Sequence, residues 1–384
     1  MTRLPVIGIT CFPSAGGSGV IASELGVNLA RSGYEVHFIT RALPWRLRRY
    51  DRNIFFHEVD PFSYPVFQGD PYTLALATMM SEVATRHGLD ILHVHYAIPH
   101  AASAFLAREL LGGRVKIITT LHGTDVTLVG QEPSFLPITR FVIQRSDAVT
   151  AVSAFLRDET VRVFGVDCPI EVIPNFVDTR LFRPRHEERL RGSFAAPDEK
   201  LLIHASNFRP VKNVAAVVEV FARVASRLPS RLLLIGDGPE LPVARELAAR
   251  LGVADRVQCL GQVEHVAPIL AAGDVMLLPS RHESFGLAAL EAMSCGTPVI
   301  ATNRGGTGEF IDDGHNSYLR DPDDFDGMAA IALRLLGDPG LHQQVAEEAR
   351  RDAVERFGER CVLKRYLALY DRVLGAAPPT ATRR

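Results

Sequence analysis

The sequence has few of the features that mark secreted, metal-binding or membrane proteins. Its 384 residues include five cysteines and no C-x-x-C spacing, which excludes a disulfide framework and a cysteine zinc site and is typical of buried thiols in a reducing compartment. No apolar run approaches the roughly 18 to 20 residues of a membrane span, and the apolar segment from Leu4 to Phe12 is too short for a signal peptide. We therefore expect a cytoplasmic protein.

An excess of charge of either sign is also missing, because 42 Lys and Arg residues face 44 Asp and Glu residues, for a net charge of −2. This balance excludes a global field that would attract nucleic acid or an anionic membrane. One local exception is the segment 41–49, where four arginines surround the only tryptophan. Pro44 interrupts any helix there, so we expect a solvated basic loop and no membrane partner.

Continuous apolar runs alternate along the chain with segments of helical periodicity, which predicts an α/β protein with parallel sheets covered on both faces. No G-x-G-x-x-G fingerprint and no P-loop lysine follow the first strand, although its turn is rich in glycine. A polar, Pro- and Arg-rich stretch from Asp178 to Lys200 indicates a linker. The pattern therefore predicts two domains.

Two glutamates bracket the start of a short helix in the second half of the chain. Gly286 opens that helix, so the amides from Ser284 to Leu287 are free to face a ligand, and the helix dipole favours an anion there. Either glutamate alone is ordinary, but Glu291 lies in a helix of small and apolar residues, a poor place for an unpartnered charge. Phosphate at the amides and hydroxyl groups at Glu283 and Glu291 explain the pattern.

The run E-S-F-G-L-x-x-L-E-A-M-x-x-G-x-P-V, from Glu283 to Val299, resembles the E-x7-E signature of retaining glycosyltransferases of family 4. The resemblance implies a GT-B fold, with two doubly wound parallel-sheet (Rossmann-like) domains and an interdomain cleft. It implies an acceptor domain at 1–178, a donor domain at 179–357 and a final helix, 358–375, that crosses back onto the first. Glu283 is implied to lie against the donor sugar, and Glu291 to bind the nucleotide ribose.

A further loop, at residues 206–212, carries part of the donor prediction. Lys212 follows a strand at a predicted helix start, where the dipole disfavours a cation unless an anion such as pyrophosphate joins it. Family 4 usually has G-R-x-x-x-x-K here, whereas this chain has Asn207 in the arginine position and Arg209 two places later. The predicted donor-binding residues are Gly17, Gly19, Asn207, Arg209, Lys212, Gly238, Glu283, Ser284, Phe285, Gly286, Leu287 and Glu291. The predicted catalytic residues are Glu283, His122, Lys212 and Arg209.

Polar clusters end two strands of the first half, where ligands of open α/β sheets bind. They are His93-Val94-His95-Tyr96 and His122-Gly123-Thr124-Asp125, and the second resembles the H-x-x-D segment of family 4. His93 and His95 share a strand face but have no third ligand nearby in sequence, so we expect no metal. Arg140 is a candidate carboxylate clamp on a helix. The predicted acceptor-binding residues are Ser18, Tyr96, Thr124 and Arg140.

A narrower resemblance within family 4 lies in I-G-I-T-C-F-P-S with G-G-S-G, in H-Y-A and in T-T-L-H-G-T-D. It implies transfer of N-acetylglucosamine from UDP-N-acetylglucosamine to L-malate with retention, the first step of bacillithiol biosynthesis. The expected partners are these two small substrates, without nucleic acid, membrane or further cofactor, and a homodimer is left open. The alternatives are a family 4 enzyme of polysaccharide or glycolipid synthesis, a UDP-N-acetylglucosamine epimerase and a non-catalytic nucleotide-sugar-binding module.

Overall fold

A computed structural model describes residues 3–14, 16–47, 51–62, 69–185 and 187–375. Contacts divide the chain into two units, the first running to Asn175 and resuming at Val362, and the second spanning Phe176–Cys361. The basic segment of the sequence is described only as far as Leu47, so Arg48 and Arg49 lie outside the described residues.

The first unit is built on a seven-stranded parallel sheet in the order β3-β2-β1-β4-β5-β6-β7. Its central strands are buried along their whole length, as expected of a sheet covered by helices on both faces. The strands are β1 Ile7–Thr10, β2 Val36–Thr40, β3 Ile54–Glu58, β4 Ile91–His95, β5 Lys116–Leu121, β6 Ala148–Ala151 and β7 Ile170–Val172. The strand order reverses between β1 and β4.

Helices cover both faces of this sheet. They are α1 Gly17–Arg31, α2 Tyr72–His87, α3 Ala102–Leu110, α4 Thr124–Thr127, α5 Leu136–Arg145 and α6 Ala154–Phe164, and the last helix of the chain, α14 Glu359–Val373, joins them from Val362 onward. Tyr366 and Tyr370 of α14 are fully buried, and the Tyr370 hydroxyl hydrogen-bonds to His93 of β4 at 2.7 Å. The chain's C-terminal helix is therefore part of the first unit's core.

The second unit repeats this plan with a six-stranded parallel sheet in the order β10-β9-β8-β11-β12-β13. The strands are β8 Lys200–Ala205, β9 Ser230–Ile235, β10 Val257–Gly261, β11 Val275–Leu278, β12 Val299–Thr302 and β13 Tyr318–Arg320. The helices are α7 Glu188–Gly192, α8 Val214–Ala225, α9 Leu241–Arg250, α10 Ala267–Ala272, α11 Leu287–Ser294, α12 Phe325–Gly337 and α13 Pro339–Phe357. Two doubly wound parallel sheets confirm the predicted fold class.

Two local features depart from the sequence-based expectation. β3 is an edge strand with half-exposed phenylalanines, Phe55 and Phe56, and it lacks the fully apolar run by which the other strands were predicted. Lys212 ends a short 3-10 turn, and α8 begins only at Val214 after Asn213, whose φ is +51°. Lys212 therefore stands just before the helix and not in its first turn.

Among the residues described, no helix combines the length and the apolar composition that crossing a bilayer requires.

Candidate functional site

The strand order of the second unit brings two distant loops together. β8 and β11 are neighbours at the point where the order reverses, so the loops that follow them lie side by side at the carboxyl edge, where open α/β sheets bind ligands. Lys212 follows β8 and Glu283 follows β11, and the Lys212 Nζ lies 2.6 Å from the Glu283 Oε1. Two residues predicted from separate motifs thus form one charge pair, 71 positions apart in the chain.

Glu283 is fixed from several sides. Ser280 Oγ donates to the same Oε1 at 2.7 Å, and the residue as a whole is only 6% exposed. The Glu283 carbonyl accepts from Gly306 N at 2.8 Å, while its amide donates to the Arg304 carbonyl at 3.2 Å. A Cβ on Gly305 would lie 2.1 Å from the Glu283 carbonyl oxygen, so only glycine permits this approach. The carboxylate is therefore preorganised by its backbone and its partners.

Helix α11 begins beside this carboxylate. Gly286 caps it with a φ of +98°, and Phe285 is buried against Phe310 with ring centroids 5.0 Å apart. Within the described ranges, no residue accepts a hydrogen bond from the Gly286 and Leu287 amides. Such amides, at the positive end of the helix dipole, form an anion site. The predicted residues Ser284, Phe285, Gly286 and Leu287 are thus brought to one helix start, with Glu291 in the next turn of the same helix.

The remaining predicted donor-binding residues of the second unit lie in the loop after β8 or pack against it. Phe208 is fully buried with a φ of +40° and anchors the loop, whereas Asn207 and Arg209 on either side are exposed. A Cβ on Gly238 would lie 2.0 Å from the Asn207 carbonyl oxygen. Gly238 is therefore required by the close crossing of two loops, which explains its presence without a ligand.

His204 is a polar residue of this region that the motif reasoning missed. It is fully buried in β8, its Nδ1 donates to the Leu277 carbonyl at 2.8 Å, and its Nε2 lies 2.8 Å from Ser206 Oγ. Burial, and less strongly the nearby Lys212 cation, lower the pKa of His204 to about 4. The neutral ring ties β8 to β11 beneath the charge pair, and the signal for it was a lone histidine inside the apolar run of β8.

In the first unit, the reversal of strand order lies between β1 and β4. Helix α1 follows β1 and starts with Gly17, Ser18 and Gly19, with no acidic residue in its first turn. A Cβ on Gly19 would lie 2.5 Å from the Phe12 carbonyl oxygen, so this glycine is required by chain packing. Gly17 is exposed and Ser18 is half-buried. The helix start is accessible, as the prediction for Gly17 and Ser18 requires.

A row of histidines follows the ends of β4 and β5. His95 Nδ1 lies 2.8 Å from His122 Nε2, and Tyr96 stacks on His122 with centroids 5.8 Å apart. Burial is the main cause that lowers the pKa of His122 to about 3, with His100 adding to the effect. At neutral pH His122 is therefore an uncharged hydrogen-bonding group and not an acid. Both ring nitrogens of His93 are engaged, by Tyr370 and by Thr120 Oγ1 at 2.7 Å.

Asp125 holds the backbone around this row. Its buried carboxylate accepts hydrogen bonds from the amides of Gly123 at 2.8 Å and of Ala97 and His122 at 3.2 Å, while burial raises its pKa. Tyr96, at the end of β4, has a φ of +93°, rare for a residue with a side chain. The conformation turns the chain so that Tyr96, His122 and Thr124 come to the same edge of the sheet.

Arg140 is not brought together with those residues. It is exposed on α5, and its Nη2 donates to the carbonyl of Gly165, which caps the C-terminus of α6, at 3.2 Å. In this structure the guanidinium is therefore engaged by the end of α6, and among the described residues no hydrogen bond joins it to Tyr96 or Thr124. The predicted acceptor residues thus divide into Ser18, Tyr96 and Thr124 at the carboxyl edge and Arg140 on the surface.

Comparison with known families and sequences connects both units to sugar transfer. Residues 15–181 match the family model described as Glycosyltransferase Family 4, and residues 199–338 match Glycosyl transferases group 1. The N-acetyl-alpha-D-glucosaminyl L-malate synthase of Bacillus anthracis is 48% identical over 96% of this chain and 97% of its own. A D-inositol 3-phosphate glycosyltransferase of Rhodococcus opacus is 29% identical over 88% of this chain and 82% of its own.

Solved structures show the same fold at low identity. A glycosyltransferase from Rickettsia africae ESF-5 matches with a TM-score of 0.82 and 21% identity, covering 98% of this chain and 100% of its own. Anabaena HepE, solved with UDP and glucose, matches with a TM-score of 0.81 and 21% identity, covering 95% of this chain and 98% of its own. The likeness confirms the predicted GT-B fold.

Proposed function

This chain belongs to glycosyltransferase family 4, and we propose that it transfers N-acetylglucosamine from UDP-N-acetylglucosamine to the hydroxyl of L-malate with retention of configuration. The observation that carries the choice of substrates is the 48% identity, over 96% of the chain, with a relative named for that product. We propose that the reaction takes place in the cytoplasm. Whether the enzyme is a monomer or a homodimer is not part of the proposal.

The donor is assigned to the second unit. Lys212 and the amides of Gly286 and Leu287 together provide a cation and two hydrogen-bond donors at the switch point of the sheet. That set suits a pyrophosphate, whose charge increases as the sugar leaves. Glu283 is assigned to the hydroxyls of the sugar, and Arg209 and Asn207 to the exposed side of the diphosphate.

The proposed reaction needs no covalent glycosyl-enzyme intermediate. The bond between sugar C1 and the β-phosphate oxygen breaks, a bond from C1 to the malate hydroxyl oxygen forms on the same face, and the hydroxyl proton passes to the departing phosphate. A double displacement would need a second carboxylate about 5 Å from the first. Glu283 Oε1 is already engaged by Lys212 and Ser280, which favours a positioning role over a nucleophilic one.

The acceptor is assigned to the first unit. Ser18 at the start of α1 offers a hydroxyl and the amides of a helix N-terminus for a carboxylate, and Tyr96 and Thr124 offer hydroxyls at the same edge. His122 is proposed as a neutral hydrogen-bonding group toward the sugar or the acceptor hydroxyl. Arg140 is proposed to bind the second carboxylate of malate by exchanging its bond to Gly165 for the substrate.

An acceptor panel tests the function as a whole. UDP release from UDP-N-acetylglucosamine is measured with L-malate, D-malate, glycerol, D-inositol 3-phosphate and no acceptor. We expect L-malate to support a rate at least about tenfold above that with glycerol, because two carboxylates supply charged hydrogen bonds worth roughly 1.5–3 kcal/mol each. D-malate has the same carboxylates, but with both of them bound its hydroxyl points in another direction, so its rate should also be lower. A preference for inositol phosphate would point to a different family 4 reaction. Formation of the 2-epimer without any acceptor would point to an epimerase.

Replacing Glu291 with alanine is expected to raise the KM for UDP-N-acetylglucosamine by about one to two decades with little change in kcat. Hydrogen bonds to the ribose exist in the ground state and the transition state alike, so their loss weakens binding uniformly. Steady-state kinetics with varied donor measures this. Glu246→Ala, an exposed glutamate of α9, is the control. A fall in kcat with unchanged KM would contradict the ribose assignment.

Replacing Arg140 with alanine is expected to lower kcat/KM for malate by about one to two decades while the donor KM stays within about twofold. The loss of one charged hydrogen bond to a carboxylate accounts for a decrease in kcat/KM of this size. The control is Arg145→Ala, on the same helix, whose guanidinium lies over the Phe141 ring at 5.4 Å. If Arg140→Ala only lowers the Tm and leaves malate kinetics unchanged, the guanidinium merely caps α6.

A further inference from the structure

Three histidines converge in the first unit at a place that the proposed reaction does not use. His37 comes from β2, His57 from β3 and His87 from the last turn of α2, and one ring nitrogen of each lies within 4.8 Å of the other two. His37 Nδ1 and His57 Nε2 are 2.8 Å apart. The ring centroid of His87 is 4.4 Å from that of His37 and 5.5 Å from that of His57. In the described part of the chain, this is the one set of three potential ligands so close together.

We propose that His37, His57 and His87 bind a divalent transition metal of the zinc class, with water completing a tetrahedron. Imidazole nitrogen suits Zn²⁺, Ni²⁺ and Cu²⁺, and a three-histidine set with one open position is an established zinc geometry. Zn–N bonds of about 2.0–2.1 Å place the nitrogens of a tetrahedron roughly 3.4 Å apart. The present separations, from 2.8 Å to at most 4.8 Å, bracket that value, so small side-chain rotations complete the site.

A carboxylate orients the first ligand. Glu35 Oε1 accepts from His37 Nε2 at 2.9 Å, which places the proton on Nε2 and turns the Nδ1 lone pair toward the other two rings. Metal-bound histidines characteristically make this outer contact, which fixes the tautomer and increases the basicity of the ligating nitrogen. Glu35 is therefore the predicted outer partner of the metal site.

The alternative is a hydrogen-bonded histidine cluster without metal, and it leaves one ring unexplained. His37 and His57 satisfy each other through a single hydrogen bond, yet neither ring nitrogen of His87 bonds to a residue described here. A neutral imidazole nitrogen is the form that binds a metal ion.

The position of the cluster indicates a structural role. His37 is the second residue of β2, and α2 ends at His87 just before β4 begins, which places these two ligands toward the amino edge of the sheet, while His57 reaches them from the fourth position of β3. Ser18, Tyr96 and Thr124 lie at the carboxyl edge. A bound ion would tie the edge strand β3 to β2 and α2 without taking part in sugar transfer.

Zn²⁺ titration of the full chain, after EDTA treatment and exchange into metal-free buffer, tests the site. We expect saturable binding of one Zn²⁺ by calorimetry, a rise in Tm that Mg²⁺ does not reproduce, and tetrahedral Co²⁺ absorption bands. Initial rates of sugar transfer should be equal with and without EDTA. Absence of saturable Zn²⁺ binding would overturn the proposal.

Variants assign the ligands. His87→Ala, a half-buried position, should keep the fold and the activity but lose the Zn²⁺-dependent rise in Tm and the Co²⁺ bands. Glu35→Gln should weaken Zn²⁺ binding roughly 10- to 100-fold, as removal of an outer-shell partner does. His265→Ala, an exposed histidine of the second unit, is the control and should bind as the wild type does. If His87→Ala binds Zn²⁺ as the wild type does, the ion is bound elsewhere and the ligand assignment is wrong.

Discussion

Replacing Lys212 with alanine is expected to lower kcat for sugar transfer by about two to three decades. The ammonium group is held at 2.6 Å from Glu283, beside the amides at the start of α11, where the proposed pyrophosphate gains charge as the sugar leaves. Removal of a single preorganised donor to a developing negative charge typically costs a factor of about 10² to 10³ in kcat. The loss should appear in single-turnover rates at saturating donor and malate.

The same substitution also disturbs the fold, and a second variant separates the two effects. Lys212→Ala leaves the carboxylate of Glu283, whose side chain is 8% exposed, without its cation, so the variant should lose stability as well as activity. Lys212→Ala combined with Glu283→Gln removes the unpaired charge and should recover part of the lost Tm. It should recover no activity. Lys200→Ala, at the opposite end of β8, is the control.

The outcome that contradicts this assignment is specific. If Lys212→Ala keeps kcat within about tenfold of the wild type, the lysine only neutralises Glu283, and the leaving group depends on Arg209 and the helix amides. If the double variant regains both stability and activity, the single variant was misfolded and not catalytically impaired. Circular dichroism and Tm measured on the same preparations distinguish the two cases.

The sequence predicted the loops of the donor region but not the contact between them. The E-x7-E run and the strand before Lys212 were each visible as local patterns. Their meeting depends on β8 and β11 being neighbours, and strand order is not encoded in periodicity. The sequence did indicate that Lys212 needs an anion. The structure provides a carboxylate, which explains the lysine before any phosphate binds and leaves its phosphate role to experiment.

Contacts over long sequence separations account for the other omissions. His93 and Tyr370 are 277 positions apart, and the half-exposed strand β3 carries His57 in a run that lacks the apolar signature of its neighbours. Rejection of a metal at His93 and His95 rested on the absence of a third ligand nearby in sequence. The cluster of His37, His57 and His87 spans three elements, so no local spacing could have indicated it.

The first unit is also expected to unfold in mild acid, because its core contains neutral histidines. Burial is the largest cause that lowers the pKa of His93 to about 3 and that of His100 to about 4, and it lowers the pKa of His95 strongly as well. All three side chains are fully buried. In the unfolded chain each would take up a proton near its ordinary pKa of 6.5.

The direction of the effect follows from linkage. Below pH 6.5 these histidines are protonated in the unfolded state but not in the folded state. The free energy of unfolding that is present above pH 6.5 is therefore lost as the pH falls toward the folded pKa values. At about pH 4.5, two pH units below the unfolded pKa, His93 and His100 each cost roughly 2–3 kcal/mol. Asp125 acts in the opposite sense, because its raised pKa makes the folded state take up a proton first.

Together, the destabilisation from His93 and His100 approaches the free energy of unfolding of an ordinary domain, which is about 5–15 kcal/mol. We therefore expect the Tm to be nearly constant from about pH 8 to 6.5 and to fall steeply by about pH 4.5. His100→Asn keeps a donor for the His95 carbonyl, which His100 Nδ1 contacts at 2.5 Å, but cannot titrate, so its stability should vary less steeply with pH. His265→Asn, at an exposed site, should follow the wild-type curve. Urea unfolding at each pH measures the slope, and a flat wild-type profile between pH 6.5 and 4.5 would show that the buried histidines are protonated in the folded protein.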